Sequence, residues 1–437
     1  MSVMTRASSH LVLASTLLLA ACGGGGGDTT ATETTPTPTP TSTATPTPTP
    51  TPTPTSTSTG TDTATTNLVG TGVSQGVGTS AVVTAANAFL ATLSDAQKTT
   101  ASSTSSTSTA LFGVSRDNAI QWTNLPGSRH GLRLNVATLS SAQLTAAENL
   151  MATALSAAGK TELDEIRRAD DVLSSRGGNG YGSNLYSIAM LGTPSTSQPW
   201  MLQIAGHHLA YNIMYNSSYV SGSPAFLGVE PPNWVVTSAG SILVNGSVSA
   251  STTGTQHAPL ETQRNAVQNL AQVLQNTGTY ASAALLSGTY NDVVAGASGD
   301  TDANFGSLAY PTTGRGLLYT GLDTSTQALV RAVIESYVNT MPSDIATSLL
   351  STYESSTALG ATYVGYAKGS GGTADFGSFP SGTTSQRSYL RIDGPRVWIE
   401  FVVQAGIVVS GQIHYHSIWR DKVADYGGQF GVGGSSF

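Results

Sequence analysis

Two runs of alternating proline, Pro36 to Pro40 and Pro46 to Pro54, set the first limit on what this chain can fold into. Each proline removes a backbone donor and fixes φ, so the stretch suits neither a helix interior nor a sheet interior. It favours the extended polyproline form, at about 3.1 Å per residue. Five glycines, Gly23 to Gly27, precede it. The segment 22–80 therefore reads as a tether, able to hold a domain of order 100 Å from its attachment point. About 355 residues are left to fold, long for a single core.

What lies before the tether gives it an anchor. Arg6 supplies a positive charge, and Leu11 to Ala20 is an apolar segment of signal-peptide length. Leu19-Ala20-Ala21-Cys22 follows, and it resembles the lipobox of bacterial lipoproteins. The resemblance implies removal of residues 1–21 and acylation of Cys22, with several acyl chains giving stable membrane attachment. Cys22 is the only cysteine in the chain. Disulfides and thiol catalysis are thereby excluded from the folded part. Gly23, with no Asp beside the cysteine, implies by the same resemblance the outer membrane, on its periplasmic or cell-surface side.

Charged residues make up only 10% of the chain and the formal net charge is −7. No basic run is present, which argues against a nucleic-acid partner. A polar, weakly charged surface suits an extracytoplasmic protein.

The folded part reads as α+β, in two similar halves packed together: 81–240 and 241–437, one compact unit over 81–430. Each half runs from helices to antiparallel strands. Helical patterns around Phe89 to Leu93 and around Leu270 to Leu274 open the halves. Amphipathic helices near 141–158 and 326–340 follow. Shorter helices come next at 161–173 and 343–353, with Thr161 and Ser343 as N-caps. The strand segment Leu202 to Leu209 then parallels Leu390 to Val397, and Tyr219 to Gly222 parallels Val408 to Gly411. The offset stays at about 180 residues, growing by about ten at the Gly/Ser loop 369–385, as expected of an internal duplication. The Ser/Thr run 99–109 is expected as an exposed loop.

Gly206-His207-His208-Leu209, Gly192-Thr193-Pro194-Ser195 and His414-Tyr415-His416-Ser417-Ile418-Trp419-Arg420-Asp421 resemble motifs of the domain of unknown function 3500 family, over roughly 82–425. The resemblance carries no catalytic assignment with it.

Chemistry must be sought in the histidines. Side chains alternate along a strand. Val397, Ile399, Phe401 and Val403 form an apolar face, so Arg396, Trp398 and Glu400 face the other way. Similarly, Leu209, Tyr211, Ile213 and Tyr215 oppose His208, Ala210 and Asn212. His208 then corresponds to Arg396 and Asn212 to Glu400. In the last strand Gln412, His414, His416 and Arg420 share a side, and the first half has Ala225 and Leu227 at the places of the two histidines. Two imidazoles at i and i+2 can reach one ion, Zn, Cu or Fe. If unlike groups of the two halves converge, His414, His416, His208 or His207, and Glu400 make an open catalytic metal site, with Arg420 beside it. Such a site would activate water or dioxygen, as a hydrolase or an oxidoreductase. The alternatives are a non-catalytic protein binding a polymer or small ligand, and a structural envelope component. Other expectations are modest. Trp398 and Trp419 belong to the core, and Arg396 or Arg420 serves Glu400 as well as a metal does. Arg420 and Asp421 form an ion pair. Arg176 to Gly180 is a turn, 124–130 a loop, and His257 contacts solvent.

Overall fold

A computed structural model describes residues 77–216, 219–244, 252–297, 310–377 and 386–430, all within the compact unit Asp62–Phe437. The signal segment, Cys22, the proline runs and part of the loop 369–385 lie outside the described residues.

The helices are α1 (Val77–Thr92), α2 (Asp95–Lys98), α3 (Arg116–Ala119), α4 (Ser141–Ala154), α5 (Ala157–Ser175), α6 (Glu261–Asn276), α7 (Gly278–Ala281), α8 (Thr324–Val338), α9 (Ser343–Tyr353) and α10 (Ser356–Gly360). The strands are β1 (Leu111–Phe112), β2 (Leu132–Arg133), β3 (Ser187–Leu191), β4 (Trp200–Gly206), β5 (Leu209–Tyr215), β6 (Val220–Ser221), β7 (Ala225–Val229), β8 (Trp234–Val236), β9 (Ile242–Val244), β10 (Thr255–His257), β11 (Leu317–Leu318), β12 (Tyr363–Ala367), β13 (Tyr389–Asp393), β14 (Val397–Ala405) and β15 (Ile413–Asp421). Among the described residues no helix is long and apolar enough to cross a membrane.

Local chemistry sets the helix boundaries. Ser140 accepts from Gln143 N while Gln143 caps the Ser140 backbone in return, opening α4. The expected single helix over 141–158 is in fact broken at Leu155, because Ser156 caps a new helix by accepting from Gly159 N at 3.0 Å. A cap of this kind contributes about 1 kcal/mol. So α5 starts before Thr161, the expected cap, and Ser343 is the first helical residue of α9 after Pro342. Helix α1 begins at Val77, inside the segment assigned to the tether. Thr99–Thr109 does form the connection from α2 to β1.

One twelve-stranded sheet organises the molecule, in the order β1-β3-β4-β5-β7-β15-β14-β13-β12-β11, with β2 on β3 and β6 on β5. Every pairing in it is antiparallel except β1 with β3. A second sheet, β10-β8-β9, spans the expected boundary at 240/241. Val408 to Gly411, expected as a strand, instead forms the turn between β14 and β15, with Val408 N and Val409 N donating to Glu230 Oε1 at 2.8 Å each.

Both faces of the large sheet are covered, and every residue of β4, β5 and β15 is buried. The helices cover one face, where Leu209, Tyr211, Ile213, Ile399, Phe401 and Trp419 pack with Val330, Val333 and Ile334 of α8. Loops cover the other, with Trp122, Leu286 and Val293 over Ala210, Phe226, Val402 and Ile418. This loop-covered face also buries polar groups: Gln203, Asn212, Arg391, Glu400, His414, His416 and Arg420. The alternation read from the sequence placed the residues of β14 on the correct faces. It failed in β7. His416 pairs with Gly228, and Leu227 with Ser417. Ala225 and Leu227 therefore lie in the helix-side core, and Phe226 and Gly228 are the residues that share the histidine face. A register error of one residue exchanges the faces.

Candidate metal centre

His207 and His208 are the two turn residues between β4 and β5, whose ends Gly206 and Leu209 pair. His208 has φ of 60°, a left-handed conformation that costs a branched or ringed residue about 1 kcal/mol and suits glycine. The two adjacent imidazoles stack, with ring centroids 3.6 Å apart, yet each meets different partners. His207 Nδ1 bonds Asp170 Oδ1 of α5 at 2.5 Å, on the helix side. His208 faces the paired histidines of β15, with ring centroids 5.4 Å from His414 and 5.0 Å from His416.

His208, His414 and His416 each offer a nitrogen, and these three atoms lie within 4.8 Å of one another. All three residues are buried. A tetrahedral zinc with bonds of about 2.05 Å holds its nitrogens about 3.3 Å apart, so the rings need to close by about an ångström. Among the described residues, His414 Nδ1 and His416 Nε2 are buried without a hydrogen-bond partner. An orphaned buried acceptor is costly, and a metal satisfies it.

Electrostatics keep the ligands in the binding form. Burial, then the neighbouring His416, pulls His414 down to about 3. Burial likewise holds His208 well below the ordinary histidine value, with His207, His416 and His414 adding to the effect. Both imidazoles are therefore neutral at pH 7, as metal ligation requires.

Asp292, which sequence reasoning did not single out, accepts from His416 Nδ1 at 2.8 Å. A carboxylate only accepts, so Nδ1 carries the proton and Nε2 presents its lone pair. This is the carboxylate–histidine arrangement that fixes a ligand's tautomer and ring orientation. Burial alone would raise the Asp292 carboxyl. The hydrogen bonds from His416 and from the Val293 N–H outweigh it and leave the group below its ordinary value. Gln404 Nε2 and Asn124 Nδ2 lie 2.8 and 3.4 Å from the same nitrogen, which accepts from neither while it donates to Asp292. Asn124 belongs to the loop 124–130, whose role the sequence left open.

Gly228 provides the room. A Cβ there would stand 2.8 Å from Tyr415 O and 3.1 Å from Cδ2 of both His208 and His416. No local pattern distinguishes Gly228 or Asp292; only the sheet register and a returning loop bring them to the histidines.

Glu400 is not a member of the cluster, contrary to expectation, nor is it served by an arginine. Its oxygens accept from Val294 N (2.6 Å), Ala295 N (2.8 Å), Tyr389 Oη (2.8 Å) and Trp398 Nε1 (2.6 Å). Burial still raises its pKa above the ordinary carboxyl value, against the pull of these donors. Arg420 holds the same loop through its carbonyls, donating to Ala295 O at 2.6 Å and Gly296 O at 3.2 Å, and is itself paired with Asp425 Oδ2 at 2.8 Å. The two residues expected to be catalytic thus pin the loop that carries Asp292. Asp421 pairs with Arg396, at 3.0 and 2.5 Å, rather than with Arg420. His257 is not solvent-facing either: it stacks on Trp234 and bonds Glu165 at 2.7 Å. Trp398 and Trp419 are core, as expected.

Beside the cluster lies a cavity of about 410 Å³, lined by Trp122, Asn124, Leu125, Asp292 and Val293 among others. Fold and site together define a class: an α+β protein whose large mixed sheet buries three convergent imidazoles able to hold a metal ion. Residues 75–428 match the sequence model of the family described as protein of unknown function (DUF3500), and the chain belongs to that family. No curated protein and no solved structure matches it.

Proposed function

We propose that this chain is a lipid-anchored extracytoplasmic metalloprotein, with a divalent Zn, Cu or Fe ion held by His208, His414 and His416. The observation that carries the reading is the convergence of three buried nitrogens within 4.8 Å, two of the imidazoles held neutral. Three protein ligands leave a coordination position open, the arrangement of catalytic rather than structural zinc sites. A metal there supplies Lewis-acid or redox chemistry to a hydrolase or an oxidoreductase. The protein's own part is to orient His416 through Asp292 and to admit a small substrate through the adjoining cavity.

Two further parts of the proposal rest on other grounds. The lipobox-like Leu19 to Cys22, Gly23 and the proline runs support cleavage before Cys22, acylation there, and a site held off the outer membrane. The strand sequence β3-β4-β5-β7 meeting β15-β14-β13-β12 supports an internal duplication, with the two last strands adjacent at the centre. On that reading the histidines are unlike residues of two related halves.

Metal analysis of the purified protein tests the centre. About one equivalent of a transition metal is expected after loading and desalting, and little in His414→Ala. Unchanged metal content in a folded His414→Ala protein would remove the proposal. Mass spectrometry of the membrane-extracted chain, read for an acylated Cys22 as the new N-terminus, tests the anchor separately.

A further inference from the structure

On the helix side of the sheet, away from the cluster of His208, His414 and His416, α5, α6 and α8 line an open cleft of about 810 Å³. At its wall stands Glu162, a buried carboxyl whose hydrogen-bond partners are neutral. Tyr211 Oη donates to it at 3.0 Å and Gln263 Nε2 at 2.5 Å. Buried carboxylates are ordinarily matched by Arg or Lys. The residues lining this cleft include four glutamates, Glu162, Glu165, Glu261 and Glu335, and no Lys or Arg. Glu165 is engaged by His257 and Arg168, and Glu261 by Arg264 from 3.4 Å.

A second observation points to a ligand. Gln263 lines the same cleft, is 1% exposed, and has its Oε1 buried without a partner among the described residues. Its amide nitrogen is fixed by Glu162 and by Ser336 O at 3.1 Å, which sets the orientation of the orphaned oxygen. Once Glu162 is ionised, its carboxylate without a counter-ion and the Gln263 carbonyl without a donor offer acceptors alone. The complement is a group with several N–H donors and a positive charge. Small apolar residues complete the wall, Ala158, Ala258, Pro259, Ala266 and Ala332, and suit a methylene chain.

We infer that this cleft is a binding site for an aliphatic diamine, one ammonium seated between Glu162 and Gln263 Oε1 and the other toward Glu335. The site is independent of the metal centre, being on the opposite face of the sheet. Burial supports the assignment, since it pushes Glu162 up to about 8 and leaves an acid whose charge a bound cation would restore.

Calorimetric titration of the full chain with 1,4-diaminobutane tests it, with 1,4-butanediol and succinate as isosteric controls. Binding of the diamine with a Kd below about 1 mM is expected, and none of either control. Glu162→Gln should weaken the diamine at least about tenfold. Glu335→Gln, at the partly exposed rim, leaves the buried network intact and should weaken the diamine several-fold while sparing 1-aminobutane. No diamine binding, equal binding of the diol, or an unchanged affinity in both variants would overturn the assignment.

Discussion

Glu162 makes a quantitative demand on stability. Its folded-state value of about 8 stands above an ordinary 4.5, because burial disfavours the charged form. Below pH 4.5 the carboxyl is protonated folded or unfolded, and no penalty exists. As pH rises, the unfolded chain ionises first, so unfolding is favoured by about 1.36 kcal/mol per pH unit until about pH 8. From pH 5 to pH 7 that amounts to about 3 kcal/mol. For a folded unit of about 350 residues, with an unfolding entropy of about 2.1 cal/mol/K per residue, it corresponds to about 4 °C in Tm. Glu162→Gln has no carboxyl to ionise and loses this slope. Any constant cost of the amide cancels when two pH values are compared. Urea unfolding of both proteins at pH 5 and pH 7 gives the difference directly. The variant should gain about 3 kcal/mol relative to the parent across that interval. Parallel stability curves would show that Glu162 is not held protonated and that the burial argument is wrong.

Other outcomes follow from the metal centre. Asp292→Asn keeps an acceptor for His416 but loses the charge, and should weaken metal binding by about tenfold, the low end for such partners because Asp292 is half exposed; competition with a chromophoric chelator measures it. Gly228→Ala places a methyl against Tyr415 O and two ligand imidazoles, so it should cost about 1–3 kcal/mol and abolish metal retention, read by unfolding and metal analysis together. Glu400→Ala strands the Val294 and Ala295 N–H groups, and should cost about 3–5 kcal/mol and weaken metal binding by freeing the loop of Asp292; if metal affinity holds while stability falls, the loop does not position Asp292.

The amphipathic pattern placed α1, α6, α8 and α9, because each buries one apolar stripe and periodicity reports that directly. It misjudged the junction of α4 and α5, since two helices with continuous patterns differ from one only by the cap at Ser156. Alternation along β14 and β15 likewise gave the correct faces for Glu400, His414 and His416, a property of any strand.

Which polar groups meet was beyond it. His208 meets His414 and His416 because β7 lies between β5 and β15 with a glycine at the crossing. Glu400 illustrates the opposite case. Its charge and strand position suited a ligand, but a loop more than a hundred residues upstream supplies two N–H donors and claims it. Local sequence determined the helix stripes and the faces of β14 and β15, since these depend on neighbours in the chain. Tertiary structure alone decided which buried charges are satisfied and which nitrogens are left to bind, because hydrogen-bond partners come from segments whose separation in sequence carries no local signal.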